Sequence, residues 1–161
     1  MKKLLYLFVF TVLVACSEKK REVFPQETLT EQFMSLDGSL VTFKSILEKH
    51  KGKKIVFETS ASWCSECVGG IPEINRIKAE NPKVVYVYLS IDKTVEQWKK
   101  GIERFELKGE HYFLPNELKG GYATGLNITD IPNYMVVNEL GLVSLANVIE
   151  ATDPRLRAVL K

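Results

Sequence analysis

The sequence predicts an α/β domain: a mixed central sheet of about four or five strands with helices on both faces, and a small extra hairpin at its N-terminal side. Three observations predict it. Two nearly continuous apolar runs, residues 54–59 and 84–91, each lead into a stretch with helical periodicity, the pattern of strands covered on both faces. Two further apolar runs, 134–137 and 142–145, are joined at Asn138-Glu139-Leu140-Gly141 and read as an antiparallel hairpin. Alternation of this kind builds one layered core.

The elements follow in order. Residues 33–36 and 40–43 flank Asp37-Gly38, a strong short hairpin signal. Residues 44–50 form a short helical candidate stopped by Gly52. After the strand at 54–59, Val68, Ile71, Ile74 and Ile77 mark one face of a helix that ends before Asn81-Pro82. Beyond the strand at 84–91, Val95, Trp98, Ile102 and Phe105 recur at helical spacing and are expected in the core. Residues 109–129 are less decided: a short helix at 118–126 is weakened by Gly120, Gly121 and Gly125. Asp153 reads as an N-cap with Pro154 at the first position of a terminal helix through Leu160. The order is ββαβαβα(α)ββα, with no repeats and no low-complexity tract.

The N-terminus is of a different kind. Met1-Lys2-Lys3 precedes an apolar stretch from Leu4 to Ala15, followed by Cys16. A basic start, a short apolar core and small residues describe an export signal, and twelve residues are too few to span a bilayer, which takes about twenty. Leu13-Val14-Ala15-Cys16 resembles the bacterial lipobox, which implies removal of a signal peptide at 1–15 and lipid on Cys16. The polar segment that follows, with Glu18-Lys19-Lys20-Arg21-Glu22, is expected to act as a tether over residues 16–30, ahead of a domain at 31–161. Loss of Lys2 and Lys3 takes the formal charge from +2 to 0. No basic excess remains to attract nucleic acid, so membrane association is expected through lipid on Cys16.

That leaves Cys64 and Cys67 as the only thiols of the mature chain. They lie in Trp63-Cys64-Ser65-Glu66-Cys67, after a buried strand and before a helix. Two cysteines three residues apart on a first helical turn can reach the Cα separation of about 4.4–6.8 Å that a disulfide requires. The first sits where free N–H groups and the helix dipole favour a thiolate. A pair closing so small a loop restrains the unfolded chain little, and stapled secreted domains carry several pairs. The pattern therefore points to dithiol–disulfide exchange with no cofactor beyond the cysteines. A zinc site would need two more ligands, and the two histidines, His50 and His111, are isolated in sequence. Haem attachment would need His after Cys67, where Val68 stands.

With the order of strand, WCxxC, helix, strand, helix, Ile-Pro, hairpin and helix established, residues 30–161 resemble thioredoxin-fold proteins. More closely, they resemble the membrane-tethered TlpA/ResA-type thiol–disulfide oxidoreductases. The resemblance implies a thioredoxin-like three-layer fold with an added N-terminal β-hairpin. It matches the motif to Trp63, Cys64 and Cys67, a helix-kinking proline to Pro72, and a cis proline to Pro132 in Thr129-Asp130-Ile131-Pro132. It further implies an exposed Cys64 as nucleophile and a covered Cys67 as resolving thiol. Ser65-Glu66 replaces the usual Pro or Gly inside the motif. Gly70 stands where several reductive members carry an acid.

The remaining site residues follow from both lines. Glu58 lies inside an apolar strand six residues before Cys64, where burial should raise its pKa. The resemblance assigns it proton transfer at Cys67, against a side chain that simply reaches solvent. Ile131 would offer backbone groups to an extended substrate strand. Trp63 either shields the sulfurs and meets partners or packs. Glu66 either tunes Cys64 or is a solvated helix-end residue.

The expectation is an envelope thiol–disulfide oxidoreductase, lipid-anchored and facing the periplasm. It would act as a reductase on cysteine-containing exported proteins, for example in cytochrome c maturation or cysteine maintenance. With no second cysteine pair in the chain, a membrane-embedded thiol donor is implied. The alternatives are a binding module on the same fold, a thiol oxidant, or a peroxide reductase. The last is disfavoured because Ala61-Ser62-Trp63-Cys64 departs from the Thr-x-x-Cys arrangement of peroxiredoxins.

Overall fold

Residues 24–161 are described in the computed structural model. The expected signal peptide, the lipobox-like Leu13–Cys16 and the expected lipid site Cys16 lie outside the described residues. Seven strands form one sheet in the order β2-β1-β5-β4-β3-β6-β7. The central strand β3 (Ile55–Ser60) is buried over Ile55–Thr59. It pairs in parallel with β4 (Val85–Ser90) and antiparallel with β6 (Asn133–Val137). The hairpin of β1 (Gln32–Ser35) and β2 (Leu40–Thr42) joins through β5 (Glu110–Phe113), and β7 (Val143–Val148) closes the other edge. This is the mixed, helix-flanked sheet that the sequence predicts, with β5 added between hairpin and core.

Each face of the sheet has its own core. Val56, Tyr86, Tyr134 and Val136 pack under α3 (Ser65–Glu80) and α6 (Pro154–Leu160), through Ile74, Ile77, Leu156 and Leu160. Ile55, Phe57, Val87, Leu89 and Met135 face the other way. There Phe43 of α2 (Phe43–Lys49) stands 5.1 Å from both Phe57 and Tyr122, the latter in α5 (Gly121–Leu126). Burying one such aromatic contributes about 1.5–3 kcal/mol, so this cluster fixes the helices on the sheet. Helix α4 (Val95–Arg104) follows β4, with Trp98 buried against Phe113 at 5.7 Å.

Two local expectations change. The polar segment ending at Thr30, read as part of a tether, folds from Phe24 onward. Phe24 is buried 5.3 Å from Phe43, and Gln26–Thr30 form a helix, α1, with Thr28 fully buried. The glycines that weakened a helix at 118–126 have a packing role. A Cβ on Gly121 would stand 2.5 Å from the Glu27 carbonyl oxygen, and one on Gly125 would overlap the Thr28 hydroxyl. Glycine there lets α1 and α5 touch backbone to backbone. The segment is a 3-10 turn at Glu117–Lys119 followed by α5.

Candidate active site

Strand β3 delivers the chain to the C-terminal edge of the sheet, where a tight turn reverses it into α3. Cys64 is the N-cap of that helix: the Cys67 N–H donates to its Sγ at 3.1 Å. The sulfur thus takes the place of the oxygen that usually accepts from a first-turn N–H. Cys64 and Cys67 form a disulfide, with Cα atoms 5.3 Å apart. A helix N-terminus of this kind favours negative charge on the first sulfur once the bond is opened.

The turn is held from three sides. Asp92, buried just beyond β4, accepts from the Ser62 N–H at 3.0 Å and from the Ser62 hydroxyl at 2.7 Å. The Ser90 hydroxyl donates to its other oxygen at 2.8 Å. Helix α4 presses on the same residue, since a Cβ on Gly101 would lie 2.6 Å from the Ser62 Cβ. On the far side the Ile131–Pro132 peptide is cis, and the Ile131 carbonyl oxygen is 3.8 Å from the Cys64 sulfur.

Both sulfur residues are buried, each to 4% exposure. An exposed Cys64 beside a covered Cys67 is therefore not what the oxidised pair presents. The Ile131 carbonyl and the Glu66 carboxylate, at 3.8 and 3.9 Å, stand over the Cys64 sulfur. The Glu66 carboxylate accepts from the Ser65 hydroxyl at 2.8 Å, which with the local backbone lowers its pKa and keeps it ionised. Trp63 is exposed at the rim. Pro72 lies inside α3, and Gly70 sits tightly: a Cβ there would meet the Tyr134 hydroxyl and Ala151 at 3.2 Å each.

Glu58 is buried below the pair, between Tyr88 of β4 and Tyr134 of β6 in register. Burial pushes its pKa up to about 7, while the Ser60 hydroxyl and the Lys78 ammonium draw it back. Glu58 and Cys67 line one cavity of about 40 Å³ together with Asp92, Trp98 and His111. That is room for about one water. Buried polar atoms without a protein partner, Trp98 Nε1 and His111 Nδ1, belong to the residues around it. Glu58 and Cys67 thus line the same small cleft.

The structure thus brings together Glu58, Trp63, Cys64, Cys67, Ile131 and Pro132, drawn from two chain segments about 65 residues apart. Sequence reasoning missed Ser62, Asp92 and Gly101, although an acid directly after the apolar run of β4 was visible as an anomaly. Among the described residues, no group of three or more His, Cys, Asp or Glu side chains could hold a metal ion. None of the described helices is long and apolar enough to cross a membrane.

Residues 52–143, more than half of the chain, match the family described as thioredoxin-like. The chain belongs to the thioredoxin-like family. An uncharacterized protein of Haemophilus influenzae is 31% identical over 113 residues, covering 64% of this chain and 65% of that relative, just under two thirds of its length. Among solved structures, the thioredoxin domain of a thiol-disulfide oxidoreductase from Bacteroides vulgatus matches with a TM-score of 0.66 at 18% identity, over 81% of this chain and 92% of that one. A secreted Mycobacterium tuberculosis disulfide oxidoreductase homologous to E. coli DsbE matches at 0.63 and 17% identity, over 84% and 98%. StoA from Bacillus subtilis matches at 0.60 and 18%, over 81% and 95%. At these identities the likeness to the thioredoxin-like neighbours is one of fold.

Proposed function

We propose that this thioredoxin-like protein is a thiol–disulfide oxidoreductase of the bacterial cell envelope, of the TlpA/ResA type, working as a reductase. The observation that carries the reading is the Cys64–Cys67 disulfide at the start of α3, set between the cis Ile131–Pro132 peptide and buried Glu58. Naming of fold neighbours as thiol–disulfide oxidoreductases, one of them secreted, supports it. The lipobox at Leu13–Cys16 supports a lipid anchor.

In the reductive direction the Cys64 thiolate attacks one sulfur of a substrate disulfide. That bond breaks, one substrate sulfur leaves as thiolate, and the other is held on Cys64. Cys67 then gives its proton to Glu58, and its thiolate attacks the Cys64 sulfur. The second substrate sulfur leaves, the Cys64–Cys67 disulfide forms, and two electrons have passed to the substrate. A membrane dithiol donor returns the pair to its reduced form. Ile131 would present its backbone to an extended substrate strand, with Trp63 at the rim of the contact.

The test is turnover of a protein disulfide with a supplied dithiol. Loss of activity in Cys64→Ser is expected, and equal turnover would overturn the reading. A binding module without chemistry would give no mixed disulfide when Cys67→Ser is incubated with substrate. Equilibration with glutathione sets direction: a potential near that of thioredoxin, about −270 mV, fits a reductase, and one near −120 mV an oxidant.

A further inference from the structure

Ser65 and Glu66 are the residues that the disulfide encloses, and the exchange steps themselves use neither. Glu66 stands in the first turn of α3, where the helix dipole favours a carboxylate. A side chain running straight out into water would satisfy that preference. Instead the Glu66 Oε2 lies 3.9 Å from the Cys64 sulfur, and the Ser65 hydroxyl donates to the same oxygen at 2.8 Å. The Ile131 carbonyl oxygen is 3.8 Å from that sulfur. A substrate that reaches Cys64 therefore meets a held carboxylate and a carbonyl dipole on the way in.

The charges around this mouth are of one sign. Residues 61–66 and 127–132, the segments that meet at the sulfur, carry Glu66 and Asp130 and no lysine or arginine. Asp130 is the chain neighbour of Ile131 and, like Glu66, is exposed. Its carboxylate accepts from the Thr129 hydroxyl at 2.8 Å. Trp63 adds an exposed apolar rim. A charge in this place acts between molecules as well as within one. It favours partners of complementary charge and disfavours those of like charge, whatever it does to the sulfur beside it.

We propose that Glu66 is a specificity-determining residue: it selects disulfides that carry a cation beside the reacting sulfur, such as a cysteine flanked by lysine or arginine. The proposal deepens the exchange reading of Cys64 and Cys67 and rests on it. In the step it governs, the Cys64 thiolate attacks the near substrate sulfur and the substrate S–S bond breaks. The far sulfur leaves as a thiolate and takes a proton from water. Cys67 then displaces the near sulfur from Cys64, and two electrons have passed to the substrate. A flanking cation meets the Glu66 carboxylate as the sulfurs close, whereas a flanking anion meets like charge. Small anionic disulfides would thus be poor oxidants of the reduced protein, and basic segments of exported proteins its favoured substrates.

The experiment mixes the reduced full-length protein with three small disulfides that differ in charge: cationic cystamine, neutral hydroxyethyl disulfide and anionic dithiodiglycolate. Second-order rate constants are read at neutral pH and low salt. A unit charge a few ångström away in water changes a rate by about threefold to fivefold, in opposite senses for the two signs. Glu66→Gln should therefore cut the cystamine-to-dithiodiglycolate ratio about tenfold. The intrinsic reactivities of the probes cancel in that comparison. Glu66→Lys should lower the ratio further. Molar salt, with a screening length of about 3 Å, should bring the wild-type ratio close to that of Glu66→Gln. Peptide disulfides with lysine or glutamate beside the cysteine should follow the same order. A carboxylate that acts on Cys64 alone would change all three rates by one common factor, and that result overturns the proposal. A ratio left unchanged in both Glu66→Gln and Glu66→Lys overturns it equally. Failure of the wild type to reduce any of the three probes is a different result and removes the exchange reading itself.

Discussion

The carboxylate of Asp92 grips Ser62 twice, accepting from its backbone N–H at 3.0 Å and from its hydroxyl at 2.7 Å. Ser62 is two residues before Cys64, so this grip ties the turn that carries the sulfur to the end of β4. Charge-assisted hydrogen bonds contribute about 1.5–3 kcal/mol each, and losing the acceptor strands two part-buried donors of Ser62 and the buried Ser90 hydroxyl. Asp92→Ala is expected to lower the unfolding free energy by about 2 kcal/mol or more. Denaturant titration measures this, and faster amide exchange at Ser62 should accompany it. An unchanged Ser62 amide would show that the turn is held by other contacts.

Gly101 gives a prediction whose sign is informative. In an open helix Gly→Ala stabilises by up to about 1 kcal/mol. Here the new methyl would collide with Ser62 at 2.6 Å, and overpacking of this kind costs about 1–3 kcal/mol. Gly101→Ala should therefore destabilise and change the rate at which iodoacetamide alkylates reduced Cys64. A more stable protein with unaltered alkylation would count against a tight seat of α4 on the turn.

Gly70 and Tyr134 form a coupled pair. The Tyr134 hydroxyl is buried without a hydrogen-bond partner, 3.2 Å from a Cβ at position 70. Gly70→Ala should be costly in the wild type and nearly neutral beside Tyr134→Phe, which removes an unpaired polar group and makes room. A double-mutant cycle with coupling above about 0.5 kcal/mol is the expected outcome.

Glu58 makes stability depend on pH. Its folded pKa of about 7 lies above the ordinary 4.5, so the native state binds the proton more tightly than the unfolded chain. The associated stability is fully present below about pH 4.5 and is lost as pH rises through about 7. A shift of this size corresponds to about 3 kcal/mol between those limits. Glu58→Gln should flatten the profile of oxidised protein, leaving it more stable than wild type at pH 8. Parallel profiles for the two proteins would show that Glu58 finds solvent.

Glu66 acts on the other sulfur. An ionised carboxylate 3.9 Å from the Cys64 sulfur opposes a thiolate there, against the favourable Cys67 N–H. Glu66→Gln should speed alkylation of reduced Cys64 near neutral pH and make the pair more oxidising against glutathione. The group is exposed, so the difference should shrink as salt is added. No change at low salt would leave the helix terminus as the sole local control.

Much of this architecture was legible before any coordinates. The strands β3 and β4 were readable because burial on both faces leaves them almost wholly apolar, and α3 and α4 because their apolar residues keep a 3.6 period. The Cys64–Cys67 disulfide, the burial of Glu58 and the cis bond at Pro132 were legible through position within that order. What escaped has a common cause. Strand β5 is four residues long, with His111 and Tyr112 among them, too short for a period to show. Helix α1 has only Thr28 fully buried among its five residues, and its seat depends on glycines 90 and more residues away. The burial of Cys64 depends on Ile131, 67 residues on. Each is a contact between distant segments, and local pattern carries no record of it.

The burial of Phe24 has a consequence for reach. On the lipoprotein reading, only residues 17–23 separate the lipid-bearing Cys16 from the folded domain, and even fully extended they span at most about 25 Å. The enzyme would then work as a bead on a very short leash, meeting substrates that come to the bilayer and staying within arm's length of a donor embedded in it.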